Sequence, residues 1–242
     1  VRSRAQQPMP NIEVTDVHKT YRSSGRSTTA LLDINLSFRQ NEFVTLVGPS
    51  GCGKSTLLKI IGALVKPSRG AIRYDGRIID RPQPNVGVAF QEPALLPWRS
   101  VIDNIRYGKP DATDDEVLGA AKAAFADEFI LQLPQGYDTI IGANSGALSG
   151  GQRQRIGLAR AVYGNPRLVV LDEPNAHLDD AGERSLIQCV KTLRERSCTV
   201  IVITHRPGVL QVCDRVLALR GGLIGLALAA ITLVAIVHAA GA

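Results

Sequence analysis

FVTLVGPSGCGKSTLLKIIGAL, residues 43–64, decides how the rest of the chain is read. Phe43–Val47 is a short apolar run with β-branched residues, the signature of a strand buried on both faces. Gly48-Pro49-Ser50-Gly51-Cys52-Gly53-Lys54-Ser55 follows at once and matches GxxxxGK[ST], with Thr56 next in line. Leu57–Leu64 then carries apolar residues at helical spacing. A strand, a glycine loop and a helix in this order is the context that loop requires. Its glycines let backbone N–H groups close on phosphate oxygens, and the helix start adds the positive end of its dipole. Lys54 is placed to reach terminal phosphates and the Ser55 hydroxyl to ligate Mg²⁺.

Working outward, the pattern alternates strands and helices. NIEVTDVHKTYR alternates apolar and polar residues and reads as a half-buried strand, SSGRSTT as a turn or loop, and LLDINLSF as a second strand. GAIRYDGRII signals a hairpin around Asp75-Gly76. NVGVAF, LVVLDEP and CTVIVITH read as buried strands, with helices over GGQRQRIGLARAVYG and GERSLIQCVKTLRE. This alternation implies an α/β fold with a mostly parallel sheet. An N-terminal antiparallel part precedes it, and a helical block at about 100–163 interrupts it from Ser100 onward.

Four strand ends carry polar groups. One leads into the glycine loop, one ends in Asp172-Glu173, one is followed by His205, and one by Gln91. Open α/β sheets bind ligands at the carboxyl ends of their strands. Asp172 therefore reads as a Mg²⁺ ligand, acting mostly through water, and Glu173 as the general base that polarises an attacking water. Leu148-Ser149-Gly150-Gly151-Gln152 opens a later helix and forms a second anion-binding helix start. One nucleotide needs one cradle, so the second implies service to a nucleotide held by another copy.

The set GPSGCGKST, Gln91, LSGGQ, LVVLDEP and His205 resembles the ABC transporter ATPase family in content, order and spacing, over roughly residues 11–222. LSGGQ is its most specific member. The resemblance implies a P-loop NTPase fold and hydrolysis of ATP with Mg²⁺. It implies a head-to-tail homodimer with ATP between one copy's loop and the other's Ser149, Gly150, Gly151 and Gln152. It further implies that Tyr21 stacks on adenine, that Gln91 touches Mg²⁺ or water and senses a transmembrane permease subunit, and that His205 contacts the γ-phosphate. Asp179 occupies the family's D-loop, where His177-Leu178-Asp179 departs from the usual small residue before Leu-Asp.

Within the family the chain points two ways. LVGPSGCGKSTLLKIIGALVKPSRG and VGVAFQEPALLPWRSVIDNI resemble importers of the nitrate/sulfonate/taurine class, which also use a substrate-binding protein. ILQLPQGYDTIIG and LSGGQRQRIGLARAVYGNPRLVVLDEPNAHLD resemble type I secretion ATPases, although Gly142–Gly146 lacks the glutamate exporters usually carry there. The importer is the leading expectation and the exporter its alternative. A non-transport ABC protein and a non-hydrolysing module are weaker readings, the second opposed by Glu173 and His205 both being present.

Bulk numbers agree with a globular ATPase. The chain has 242 residues, 45% hydrophobic and 21% charged, enough for a sizeable core. Its formal charge is +6, but the basic residues are spread out and aromatics are only 5%, so no nucleic-acid partner is expected. Cys52, Cys189, Cys198 and Cys213 form no CxxC pair, which suits a reduced, cytosolic compartment. The family resemblance implies a peripheral place at the cytoplasmic face of the inner membrane. Residues 1–10 read as a loose leader. Gly221–Ala242 has no charged residue and permits two readings. In one, Leu223–Ala227 is the hairpin mate of a strand over Arg215–Leu219. In the other, preferred one, the apolar tail 223–242 is a helix facing membrane or a partner.

Overall fold

The computed structural model describes residues 12–23, 26–109, 113–142, 148–176, 178 and 180–229. The leader, His177, Asp179 and the tail beyond 229 lie outside the described residues, as do residues 143–147 of the loop before the signature.

Two sheets organise the chain. β1 (Ile12–Ser23), β2 (Arg26–Phe38), β4 (Arg69–Tyr74) and β5 (Arg77–Ile78) form an antiparallel sheet in the order β2-β1-β4-β5. β3 (Phe43–Val47), β6 (Val86–Ala89), β7 (Leu168–Asp172), β8 (Thr199–Ile203), β9 (Arg215–Arg220) and β10 (Leu223–Ala229) form the second, ordered β10-β9-β3-β8-β7-β6. Within it β3, β6, β7, β8 and β9 pair in parallel, and β10 joins antiparallel. The fold is thus the expected α/β P-loop NTPase with an antiparallel N-terminal part.

The continuous apolar runs have a direct cause. Side chains alternate across a strand, so a strand covered on both faces must be apolar at every position. In β7, Leu168 and Val170 pack with α1 (Lys54–Ile61) and the antiparallel sheet, alongside Ile12, Val14, Ile34 and Phe38. Val169 and Leu171 point the other way, into a second core with Ile156, Leu186 and Val190. That core is built by α5 (Gly150–Val162), α6 (Asp180–Glu195) and the helical block.

The helical block holds α2 (Val101–Ile105), α3 (Asp114–Ala123) and α4 (Asp127–Leu131). Thr113 and Glu116 close a capping box at the start of α3, which satisfies two otherwise orphaned N–H donors. The hydrogen bond from the Thr113 backbone also holds the Glu116 carboxyl below its ordinary range. Asn104, wholly buried, ties the block to the loop after Gln91: its Oδ1 accepts from Leu96 N at 2.7 Å and its Nδ2 donates to Leu96 O at 3.0 Å. A final short helix, α7 (Pro207–Leu210), follows β8.

Two expectations are corrected. Arg26–Thr29 is strand, not turn, because Thr28 and Thr29 pair with Tyr21 and Thr20 and so extend the first hairpin. Leu223–Ala229 is strand β10, not helix: Leu223 pairs with Arg220 and Leu228 with Val216. The free edge of β9 satisfies this segment's backbone groups, and Gly221 and Gly222, both at positive φ, make the turn. Within Leu223–Ala229 the apolar sequence serves an edge strand. Among the described residues no helix is long and apolar enough to cross a membrane.

Candidate active site

The loop between β3 and α1 depends on glycine at two positions in particular. At Gly48 (φ 150) a Cβ would collide with the Leu219 carbonyl, and at Gly53 (φ 108) with the Ala30 carbonyl. The loop is pressed so closely against β9 and β2 that no side chain fits on that side. Lys54 folds over the loop, Nζ donating to Gly48 O at 2.7 Å and Pro49 O at 2.9 Å. It is buried at 8% exposure, so an arriving polyphosphate meets a cation already desolvated and aimed across the cradle.

Gly48, Pro49, Ser50, Gly51, Gly53, Lys54, Ser55, Thr56, Gln91, Glu173 and His205 line one cavity of about 500 Å³. Eleven of the residues expected from sequence thus meet in one place. Ser55 Oγ donates to Asp172 Oδ1 at 3.2 Å. Burial pushes the Asp172 carboxyl above its usual range, with the Ser55 hydrogen bond opposing it. A hydroxyl and a desolvated carboxylate side by side are hard oxygen donors, and a divalent cation would offset the cost of burying that charge. The pair fits Mg²⁺.

Glu173 sits just past β7 with φ 46, a left-handed conformation that costs a non-glycine residue about 1–3 kcal/mol. Its carboxylate has two neighbours. Gln91 Nε2 donates to Oε2 at 3.2 Å, and His205 Nε2 lies 3.8 Å from Oε1. Its backbone N–H donates to Ile203 O at 3.0 Å. Such a carboxylate can accept a proton from water, provided the Gln91 bond is exchanged for one to that water.

Other expected residues stand apart. Cys52 is buried behind the loop, and its carbonyl accepts from Gly222 N at 3.1 Å. Tyr21 is exposed on β1 beneath Lys19, whose Nζ lies 5.0 Å from the ring centre, and it does not line the cavity. Ser149, Gly150, Gly151 and Gln152 also lie outside the lining. Ser149 caps α5 in a capping box: its Oγ accepts from Gln152 N at 3.1 Å and its N donates to Gln152 Oε1 at 2.9 Å. Ser149 is exposed, and Gly150, Gly151 and Gln152 are half-buried.

Four supporting residues were missed. Ala30 lines the cavity from β2 and carries no sequence signal. Asn175 and Thr204 are buried and exchange two hydrogen bonds, Asn175 Nδ2 to Thr204 Oγ1 at 3.0 Å and Thr204 Oγ1 to Asn175 Oδ1 at 3.2 Å. They lock the segment after Glu173 to the segment before His205. Gln154, buried on α5, donates from Nε2 to the Glu173 carbonyl at 3.0 Å. Polar residues directly after apolar strands, or inside the buried stripe of a helix, were the available signal.

The profile of the ABC transporter family matches residues 31–176. The type I secretion system ATP-binding protein PrsD of Rhizobium meliloti (strain 1021) is 42% identical over 78% of this chain and 33% of its own length. The alpha-hemolysin translocation ATP-binding protein HlyB of Escherichia coli is 38% identical over 89% of this chain and 31% of its own. The chain therefore spans about a third of the length of the curated relatives it matches. Among solved structures, the dimeric cassette MJ0796 in a post-hydrolysis state with ADP and Pi superposes at TM-score 0.79, 28% identical, over 90% of this chain and 98% of that one. A bacterial Atm1-family ABC exporter with ATP bound superposes at TM-score 0.83, 29% identical, over 93% of this chain and 40% of that one.

Proposed function

The chain belongs to the ABC transporter family, and from that premise we propose that it is the ATP-hydrolysing domain of an export-type transporter of the type I secretion kind. The observation that carries ATP hydrolysis is the cavity that joins the glycine loop, Lys54, Ser55, Glu173, Gln91 and His205. The direction of transport rests on relatives of 38–42% identity that are named as secretion proteins. They favour the export alternative over the nitrate/sulfonate/taurine importer, and with it a substrate-binding protein drops out of the proposal. The residues alone leaned the other way because residues 46–70 and 86–105 resemble importers, and the shared catalytic parts do the same chemistry in both directions.

The mechanism is phosphoryl transfer to water, governed by positioning and charge stabilisation. Loop N–H groups hold the phosphates, and Lys54 turns from the Gly48 and Pro49 carbonyls to the β- and γ-phosphates. Ser55 and Asp172 would hold Mg²⁺ and Gln91 would approach it, and the ion would supply charge neutralisation at the phosphates. Glu173 accepts the proton of the attacking water, and His205 steadies the γ-phosphate. Tyr21 stacks on adenine. Ser149, Gly150, Gly151 and Gln152 of a second copy close over the same nucleotide. The dimer acts peripherally at the cytoplasmic face of the membrane on a transmembrane partner.

The test separates binding from turnover. Glu173→Gln keeps shape and removes the base: it should bind ATP, form ATP-dependent dimers by solution mass, and hydrolyse at least about a hundredfold more slowly. Lys54→Ala should lose binding itself. Wild-type turnover in Glu173→Gln would dismiss the assigned base. For direction, this chain would replace the corresponding segment of the secretion relative, and secretion of that relative's substrate would be measured.

A further inference from the structure

Glu173 must hold a left-handed backbone to aim its carboxylate at the cavity, and something outside the strand has to keep it there. Two backbone bonds contribute: Glu173 N donates to Ile203 O at 3.0 Å, and Ala176 N donates to Glu173 O at 3.1 Å. The third hold comes from a different element. Gln154 is 4% exposed on the inner face of α5, and its Nε2 reaches the Glu173 carbonyl at 3.0 Å. A buried amide that donates to the main chain of Glu173 is a costly choice for a helix that could have placed leucine there. The same helix is capped by Ser149, five positions earlier.

We propose that Gln154 is a positioning residue for ATP hydrolysis, fixing the backbone of Glu173 from the helix whose exposed start is offered to the other copy's nucleotide. The proposal rests on the dimeric ATPase reading above and deepens it. A shift of α5 as Ser149 engages the partner's nucleotide moves the Gln154 amide, and the carbonyl it holds moves with it. The general base of one site is thereby set by the occupancy of the other. No contact with substrate is involved, so the effect falls on the rate of the chemical step and not on ATP affinity.

Gln154→Met keeps the length and apolar bulk of the side chain and removes the donor. The expected result is a kcat about ten- to a hundredfold lower, the scale of a misplaced catalytic group, with KM for ATP within about twofold. Gln154→Glu supplies a donor only when protonated. Its kcat, expressed relative to wild type at each pH, should rise as pH falls from 8 to 6, while the same ratio for Gln154→Met stays flat. A wild-type kcat in Gln154→Met, or flat ratios for both variants, would overturn the proposal. A second measurement does not depend on hydrolysis. In nucleotide-free protein the amides of Glu173 and Ala176 should exchange with solvent about tenfold faster in Gln154→Met, with β8 unchanged. Equal exchange at those amides would also overturn it. A wild-type protein without ATPase activity would sink the functional reading alone, since the exchange comparison would still decide the role of Gln154.

Discussion

Thr204→Val tests whether the buried pair beneath the site holds it together. Thr204 is wholly buried and Asn175 is 4% exposed. Valine reproduces the shape of threonine and removes a hydroxyl that makes three contacts: it donates to Asn175 Oδ1 and accepts from Asn175 Nδ2 and Arg206 N, the last at 3.1 Å. Each bond contributes about 1 kcal/mol net, and a buried amide left without its partner costs about 1–3 kcal/mol. The expected loss is about 3 kcal/mol, or a melting temperature lower by about 6–12 °C for a domain of this size. Asn175→Leu alone strands the threonine hydroxyl and should also destabilise. The double variant removes both partners and should be less destabilised than the sum of the singles by about 1 kcal/mol or more. Urea unfolding of all four proteins gives the coupling directly. Additivity within about 0.5 kcal/mol would mean that the two side chains do not support one another. The pair joins the residue two past Glu173 to the residue before His205, so kcat should fall in Thr204→Val while KM for ATP holds.

Three further outcomes follow from the geometry. Mixing Ser149→Arg with Lys54→Ala copies should restore part of the ATPase activity that neither has alone, because one composite site stays intact; no recovery would count against a shared site. Asp172→Asn should raise the melting temperature of nucleotide-free protein at pH 7–8. The raised carboxyl is no burden while protonated and becomes one as pH rises through its folded value, so the gain should vanish on acidification into the carboxyl range; a pH-independent difference in a scan without Mg²⁺ would contradict this. Deletion from Leu223 onward removes β10 and bares the edge of β9, so it should lower the melting temperature and promote association in light scattering. An equally stable, monodisperse truncation would show that the strand is dispensable.

The parts legible in sequence were those where one local pattern forces one geometry. A buried strand, glycines that admit no Cβ, and a lysine at the helix start leave little freedom, and Phe43–Ile61 folds as its residues require. Asp172, Glu173, Gln91 and His205 were readable because each follows a strand that tertiary packing brings to one edge. Gln154, Asn175 and Thr204 were not, since their roles depend on which carbonyl or hydroxyl a distant segment presents. Leu223–Ala229 was misjudged for a related reason: composition reports that a segment wants burial and says nothing of whether a neighbouring strand has a free edge. Tyr21 shows the remaining gap, an aromatic whose surroundings in a lone copy do not include the cavity.

The larger sheet divides the interior into two compartments that share strands but no side chains. Leu168, Val170, Ile201 and Ile203 belong to one side, and Val169, Leu171, Val200 and Val202 to the other. Neighbouring residues along β7 and β8 therefore answer to different surroundings. Volume lost at Val170 must be recovered around α1, and volume lost at Val169 around α5 and α6. Core substitutions should compensate one another within a compartment and act independently across the sheet. Drift among the helices can then proceed without repacking the cradle, so the phosphate-holding face keeps its shape while the opposite face adapts to whatever it must drive.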